Sequence, residues 1–189
     1  MVLTKNFPGI VETLTPENPN HDMVYMLNSD LEVDDVLDIR LFGPLVVNGK
    51  ISCKGEIFAL DDVAAKGDII AGSHVHTGAL MALNGSVYVK GNIYASEEVL
   101  AELDINASGN IVANGFIHAY NGHIAIGGGI NAGSNITAKT FIKCRRRIFA
   151  GLNPDETTES CNNVIRCAEL RQGQIGYGIL ILTPASQKE

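Results

Sequence analysis

Residues 93–116 read IYASEE, VLAELD, INASGN, IVANGF, which are four consecutive blocks of six residues with one shared pattern. Each block begins with Ile or Val, and its third residue is Ala. Because alternate residues of a β-strand point to the same face, the first and third positions predict two side chains directed into one interior. The fifth position is Gly in the last two blocks, where a missing Cβ lets the chain bend. Each block therefore predicts a short strand followed by a corner.

The same pattern continues in both directions from this stretch. In one frame the first positions run from Ile39 to Ile117 and, after one extra residue, from Ile124 to Ile148. One block cannot bury its apolar edge alone, whereas stacked coils can. Three blocks close a triangular coil of about 18 residues. Residues 39–153 are therefore predicted to form an all-β, single-stranded parallel β-helix of about six coils, at the usual strand spacing of ~4.8 Å.

The frame also predicts which residue near Met81 points inward and which hand the coil has. The frame puts Met81 at an inward first position and Ala82 at an outward one. The small residue mostly follows the aliphatic residue by two places, which favours a right-handed coil and leaves the left-handed form as the alternative.

The glycine-rich segment 121–140, NGHIAIGGGINAGSNITAKT, also fits a G-x-G-x-x-A pattern. A dinucleotide-binding turn needs a helix after it and an acidic residue about 20 positions further on. Here the strand pattern continues, and Arg145, Arg146 and Arg147 occupy that place. Gly127 to Gly129 are therefore predicted to form a corner of the repeat, between the inward positions Ile124 and Ile126 on one side and Ile130 and Ala132 on the other.

Two flanks surround the predicted β-helix. Residues 1–38 are expected to form an acidic capping segment, in which Met23, Met26 and Leu27 fit a short helix, and residues 154–189 a C-terminal loop with capping strands. Solenoid ends expose unpaired backbone and usually need such caps.

The net charge of −7 lies wholly within residues 1–39, which hold eight acidic residues and one lysine. The remainder is neutral, and the absence of a broad basic field argues against nucleic acid as a partner. The acidic first segment and the arginines near the last coils have opposite signs, which could favour head-to-tail attraction.

The opening residues, MVLTKNFPGIVETLTPENP, lack an apolar core of signal-peptide length, and no apolar run reaches the length of a membrane span. We therefore expect a cytoplasmic protein with free thiols. Cys53 and Cys144 fall on inward positions as small buried residues. Cys161 and Cys167 could pair in an oxidising compartment.

The segments VNGKISCKGEIFALDDVAAKGDIIAG (47–72) and VKGNIYASEEVLAELDINASGNIVANG (89–115) resemble bactofilins, which are bacterial polymer-forming proteins with a right-handed triangular β-helix. The resemblance implies a non-enzymatic, cofactor-free cytoskeletal scaffold whose partner is itself, in a homo-oligomer or filament, with other protein partners possible. The apolar flanks differ from the short polar tails of bactofilins. If both flanks are caps, end-to-end growth would be blocked.

We expect no catalytic, cofactor-binding or metal site, and two groups of residues are candidates for interaction. An 18-residue period places four outward residues in one column, and exposed aromatic residues on a sheet can mark an interface. These four residues are Phe58, His76, Tyr94 and Val112. The second group is the basic run Arg145, Arg146 and Arg147.

Alternatives rest on the histidines and on the aromatic column. His74 and His76 point outward from one strand and could hold a metal if a third ligand were present. His118 and His123 flank the one-residue slip, and a histidine base would suit an acyltransferase built on a hexapeptide helix. A rigid adhesin or appendage module would use the aromatic column.

Overall fold

The computed structural model of the chain describes residues 1–14, 23–151 and 163–183, and these residues form 25 β-strands and no helix. In chain order the strands are β1 Val2–Leu3, β2 Ile10–Leu14, β3 Met23–Leu27, β4 Leu31–Val33, β5 Leu37–Ile39, β6 Leu45–Val47, β7 Ile51–Cys53, β8 Ile57–Ala59, β9 Val63–Ala65, β10 Ile69–Ala71, β11 Val75–Thr77, β12 Leu80–Ala82, β13 Val87–Val89, β14 Ile93–Ala95, β15 Val99–Ala101, β16 Ile105–Ala107, β17 Ile111–Ala113, β18 Ile117–Ala119, β19 Ile124–Ile126, β20 Ile130–Ala132, β21 Ile136–Ala138, β22 Phe141–Ala150, β23 Val164–Cys167, β24 Glu169–Tyr177 and β25 Ile179–Leu182. Within the described ranges, no helix is available that could cross a membrane.

The strands stack into three faces, because each strand pairs with the strand one coil before it and one coil after it. Face one runs through β1, β5, β8, β11, β14, β17 and β20, and face two through β4, β7, β10, β13, β16 and β19. Face three runs through β2, β3, β6, β9, β12, β15, β18, β21, β23 and β25. The long strand β22 pairs with both β19 and β20, so it joins faces one and two at the last coils.

The pairing confirms the predicted parallel β-helix with about 18 residues per coil. Ile93 on β14, for example, lies beside Ile111 on β17, and Val75 on β11 lies beside Ile93. The solenoid has about eight turns rather than six. The difference arises because several strands outside residues 39–153 also pair in parallel with their neighbours. These are β1, β3 and β4 within residues 1–38, β5 at their boundary, and β23 and β25 after residue 153.

The core is the column of side chains inside the three faces. The aliphatic first residues and the alanines of nearly all strands between β7 and β21 are buried, which matches the pattern that predicted them. Cys53, Cys144 and Cys167 are buried free thiols, and burial raises the pKa of each. Cys161 and the loop predicted around it lie outside the described residues.

The predicted short helix at the start of the chain is wrong. Residues Met23–Leu27 form β3, whose Tyr25, Met26 and Leu27 lie beside Leu45, Val46 and Val47 of β6. In this strand Tyr25 and Leu27 point into the interior and Met26 points outward, as in the other strands of the solenoid. Pairing with β6 therefore determines that this segment is a strand.

The block frame is also wrong at two places. At β12 the inward residues are Leu80 and Ala82, and Met81 points outward. The block before β12 is one residue too short and the block after it one residue too long, so the frame is restored at β13. The Ala79 amide, just before β12, donates a hydrogen bond of 2.7 Å to the Asp62 carboxylate. At β5 the inward residues are Leu37 and Ile39 rather than Ile39 and Leu41, although Leu41 is also buried, in the long corner before β6.

Gly127 to Gly129 form the corner between β19 and β20, as predicted. A Cβ on Gly127 would stand 2.1 Å from the carbonyl oxygen of Ser108 in the neighbouring coil, so no larger residue fits there without a backbone shift. Strand β20 follows this corner, and the helix that a dinucleotide-binding turn requires does not.

Candidate interaction surfaces

The aromatic column lies on face one, where the parallel register brings the predicted residues together. Phe58 lies beside His76, His76 beside Tyr94, and Tyr94 beside Val112. The ring centroids of Phe58 and His76 are 4.9 Å apart with planes 10° from parallel, and those of His76 and Tyr94 are 4.8 Å apart. The three rings form a continuous stack whose edges remain open to solvent.

A polar contact holds the ring of Tyr94, the last of the three in chain order. The Asn92 side-chain amide donates a hydrogen bond of 3.0 Å to the hydroxyl of Tyr94. Beside the stack runs a shallow groove of about 430 Å³, lined by Leu60, His76, Tyr94 and Asn114 among others. A planar or apolar group of a partner could pack there against the ring edges.

The three predicted arginines lie at the corner between faces two and one, where β22 crosses without a turn. The backbone amides of Arg145 and Arg146 both donate to the carbonyl oxygen of Gly128, at 3.1 Å each, which holds the crossing against the glycine corner of the preceding coil. All three arginine side chains are exposed. We call this feature the arginine corner.

A groove of about 790 Å³ opens beside the arginine corner. Its lining includes Asn110, Val112, Asn131, Arg145, Arg146, Arg147, Phe149, Gln172 and Gln174. The groove therefore combines cationic groups, side-chain amides and an apolar wall. No carboxylate lines it within the residues that the structure describes.

One amide in this groove has an unused atom. The Oδ1 atom of Asn131 is buried and has no hydrogen-bond partner among the described residues. By contrast, Oδ1 of Asn110, one coil earlier, accepts a hydrogen bond of 2.9 Å from the Gly129 amide. Buried polar atoms are usually paired, so the Asn131 oxygen is an exception that calls for a partner.

The histidines take structural contacts rather than forming one cluster. The Nδ1 atom of His74 accepts a hydrogen bond of 2.9 Å from the Asn92 amide, and His76 belongs to the aromatic stack. In the parts of the chain described here, no three His, Cys, Asp or Glu side chains come close enough to hold a metal ion. Metal binding by His74 and His76 consequently has no third ligand to support it.

His118 and His123, the candidate bases, lie in different environments. The Nδ1 atom of His123 is 2.8 Å from the Asp104 carboxylate and its Nε2 atom is 3.1 Å from Oδ1 of Asn106, so both ring nitrogens are engaged. His118 stacks on Tyr120 with 3.9 Å between centroids, and burial lowers its pKa. The acyltransferase hypothesis stays a prediction. His123 lends it no support, because neither of its ring nitrogens is free.

The sequence reasoning missed an apolar column on face three. The register aligns the outward residues of five successive strands. These residues are Met26, Val46, Ala64, Met81 and Leu100. The block frame hid this column because it assigned Met81 to the interior; the adjacent apolar pair Leu80 and Met81 was the signal that either residue could face inward.

The two ends of the solenoid differ in the described residues. At the N-terminal end, β2 pairs antiparallel with β3, Leu3 is buried, and Phe7 and Ile10 pack on the core. At the C-terminal end, Leu180 packs on the core from one side only, and the side chain of Leu182 is 54% exposed.

The acidic residues at the N-terminal end are partly neutralised within the chain. Lys50 Nζ lies 2.8 Å from the Glu32 carboxylate, and Lys54 Nζ lies 2.7 Å from that of Asp34. The hydrogen bond from Lys54 lowers the pKa of the Asp34 carboxyl group. These pairs bridge successive coils on the second face.

A scan against protein-family models, a search of curated proteins and a search of solved structures each find no match to this chain.

Proposed function

We propose that the protein is a non-enzymatic scaffold that self-associates through the C-terminal end of its β-solenoid, in the manner of the bactofilins that its repeat resembles. The observation that carries this proposal is the exposed apolar surface of the last coil. Its Leu180 and Leu182 lie beside the buried Ile165 and Cys167 of the coil before, and therefore continue the core, yet Leu182 remains largely uncovered. An open strand edge with apolar side chains is a template for pairing with another chain.

The contrast between the ends favours the C-terminal end as the contact. The antiparallel strand β2 closes face three at the other end, where Leu3 and Leu31 are already buried. The Glu32 and Asp34 carboxylates there also have lysine partners within the chain. Head-to-tail attraction of opposite charges therefore has less free charge to draw on than the sequence alone indicates.

Burial of the uncovered core residues supplies the free energy of association. Each square ångström of apolar surface removed from water stabilises a contact by about 25 cal/mol, and β25 adds the backbone hydrogen bonds of a new strand neighbour. Leu182 follows Ala138 and Cys167 along one inward column, so a second copy placed there extends a core that already exists.

The test is the mass of the full chain in solution at micromolar concentration, measured by light scattering. We expect an oligomer for the native sequence and its loss in Leu182→Lys, because a buried ammonium without a partner opposes association. Leu103→Lys is the matched control, since Leu103 is 44% exposed at a corner away from this end and from the aromatic column. A native chain that remains monomeric, or a Leu182→Lys variant of unchanged mass, would contradict the proposal.

The stacked rings of face one support a second candidate function, a module that binds a partner laterally, as an adhesin or appendage component does. The stack of Phe58, His76 and Tyr94 presents an ordered aromatic surface along three coils. If this surface makes the contact, Tyr94→Ser abolishes association, and Leu182→Lys leaves it intact. The same light-scattering measurement therefore separates the two functions.

A further inference from the structure

We propose that the groove at the arginine corner is a binding site for a small hydroxylated acid, meaning a carboxylate or a phosphate that also carries a hydroxyl group. The inference is independent of self-association, because it concerns the side of the solenoid and rests on a different set of contacts.

The three arginines indicate that the ligand carries an acidic group. Arg145, Arg146 and Arg147 all line the groove and are exposed, and none of them has a carboxylate within ion-pair distance in the described residues. Guanidinium groups bind carboxylate and phosphate oxygens through paired hydrogen bonds. Three like charges at one corner repel each other, so an anion between them relieves that repulsion.

Asn131 indicates that the ligand also carries a hydroxyl group. Asn131 lines the groove, and its Oδ1 atom is a buried acceptor without a donor, so a rotation of the side-chain amide toward the groove would present this oxygen to a ligand. An anionic oxygen cannot satisfy this atom, because both are acceptors, whereas a hydroxyl can donate to it. A ligand that carries only an acidic group would therefore leave the oxygen unpaired, at a cost in affinity.

The carbon skeleton of the ligand has a wall to pack against. Phe149 lies beside Asn131 in the register of face one, and Val112 lies on its other side. A Cβ at position 176 would stand 2.4 Å from Cε1 of Phe149, so Gly176 makes room for this ring against β24. A groove of about 790 Å³ is within the size range of small-molecule sites, which run from about 300 to 1,000 Å³.

The experiment is calorimetric titration of the full chain with defined probes. Gluconate and glucose 6-phosphate supply a hydroxylated carboxylate and a hydroxylated phosphate, and the difference between them distinguishes the two acid types. Acetate and inorganic phosphate supply the acid alone, and glucose supplies the hydroxyl groups alone. We expect saturable binding of gluconate or glucose 6-phosphate at least tenfold tighter than binding of the matching simple acid, and no binding of glucose.

Variants assign the binding to this groove. The double substitution Arg145→Gln with Arg147→Gln is expected to weaken binding at least tenfold, and Asn131→Leu to remove the preference for the hydroxylated acid over the simple one. Arg166→Gln is the matched control, because Arg166 is an exposed arginine on face three, and it should leave binding unchanged.

Three results would overturn the proposal. These are no saturable binding of either hydroxylated acid, equal binding of the simple acids, and undiminished binding by the double arginine variant. Circular dichroism melting of each variant checks that the solenoid is intact, and Asn131→Ser provides a second test if Asn131→Leu unfolds the chain.

Discussion

At the scale of single residues, the interior of the solenoid is narrow, and its third positions fill the space that the larger residues leave. Ala107 is buried between Val89 and Ile126 of the coils on either side. Such a site has no room for three additional carbon atoms, since protein interiors are close-packed.

Ala107→Leu is therefore expected to destabilise the protein by about 1–3 kcal/mol through overpacking. Ala125→Leu is the control, because Ala125 is the outward residue of β19 and the same substitution there should change the stability by less than about 0.5 kcal/mol. Chemical denaturation of both variants measures the difference. Equal stabilities would mean that Ala107 is not packed as the structure has it.

The sequence predicts inward residues well where their pattern has one solution. Ile105 and Ala107 alternate with polar residues, so only one register buries them. It could not predict the unpaired Oδ1 of Asn131, because a single asparagine among outward residues gives no sign of which atoms surround it. The three arginines are apparent in the sequence as a run of positive charge. Their groove could not be predicted, because β24 forms one of its walls and the sequence predicted only that further strands follow the repeat.

At the scale of the strand, the compensated slip at β12 decides which of two adjacent apolar residues faces inward. Leu80 is fully buried beside Val63 and Val99, and Met81 is partly exposed beside Ala64 and Leu100.

We expect Leu80→Ala to cost about 2–5 kcal/mol, because it leaves a cavity in the core. Met81→Ala should cost clearly less, since its side chain is partly solvated. The hexapeptide frame implies the reverse order, so the urea midpoints of the two variants distinguish the alternatives. A larger loss for Met81→Ala would restore that frame.

Strand existence was predictable from the blocks, but corner lengths were not. Most strands of the repeat begin six residues after the strand before. The sequence pattern shows the seven-residue interval before β19, but not the five- and seven-residue intervals on either side of β12 or the eight-residue interval before β6. The strand at 23–27 was missed for a related reason. Its apolar residues also fit a helix, and only pairing with β6 settles the choice.

At the scale of the whole molecule, stability is expected to vary along the solenoid axis, because each coil contacts only its neighbours. Interior strands such as β13 and β16 have a partner on both sides, whereas β25 has one partner, β23, in the described residues.

Hydrogen exchange read by mass spectrometry should therefore show faster exchange for the peptide containing residues 179–182 than for peptides from residues 87–107. The measurement belongs at concentrations below the onset of association, because a second copy on β25 would slow its exchange. Uniform protection along the chain would contradict the nearest-neighbour description.

The antiparallel strand β2 has a consequence for symmetry. Its direction opposes that of the coils, so the two ends of face three differ: β2 leaves an antiparallel edge at one end and β25 a parallel edge at the other. A contact between two copies of β25 would use the same surface on both molecules, so it would be isologous and would pair the two strands about a twofold axis. Such a contact leaves β1 and β4 as the outermost strands of the other two faces, so growth beyond a pair requires a second, different contact at that end.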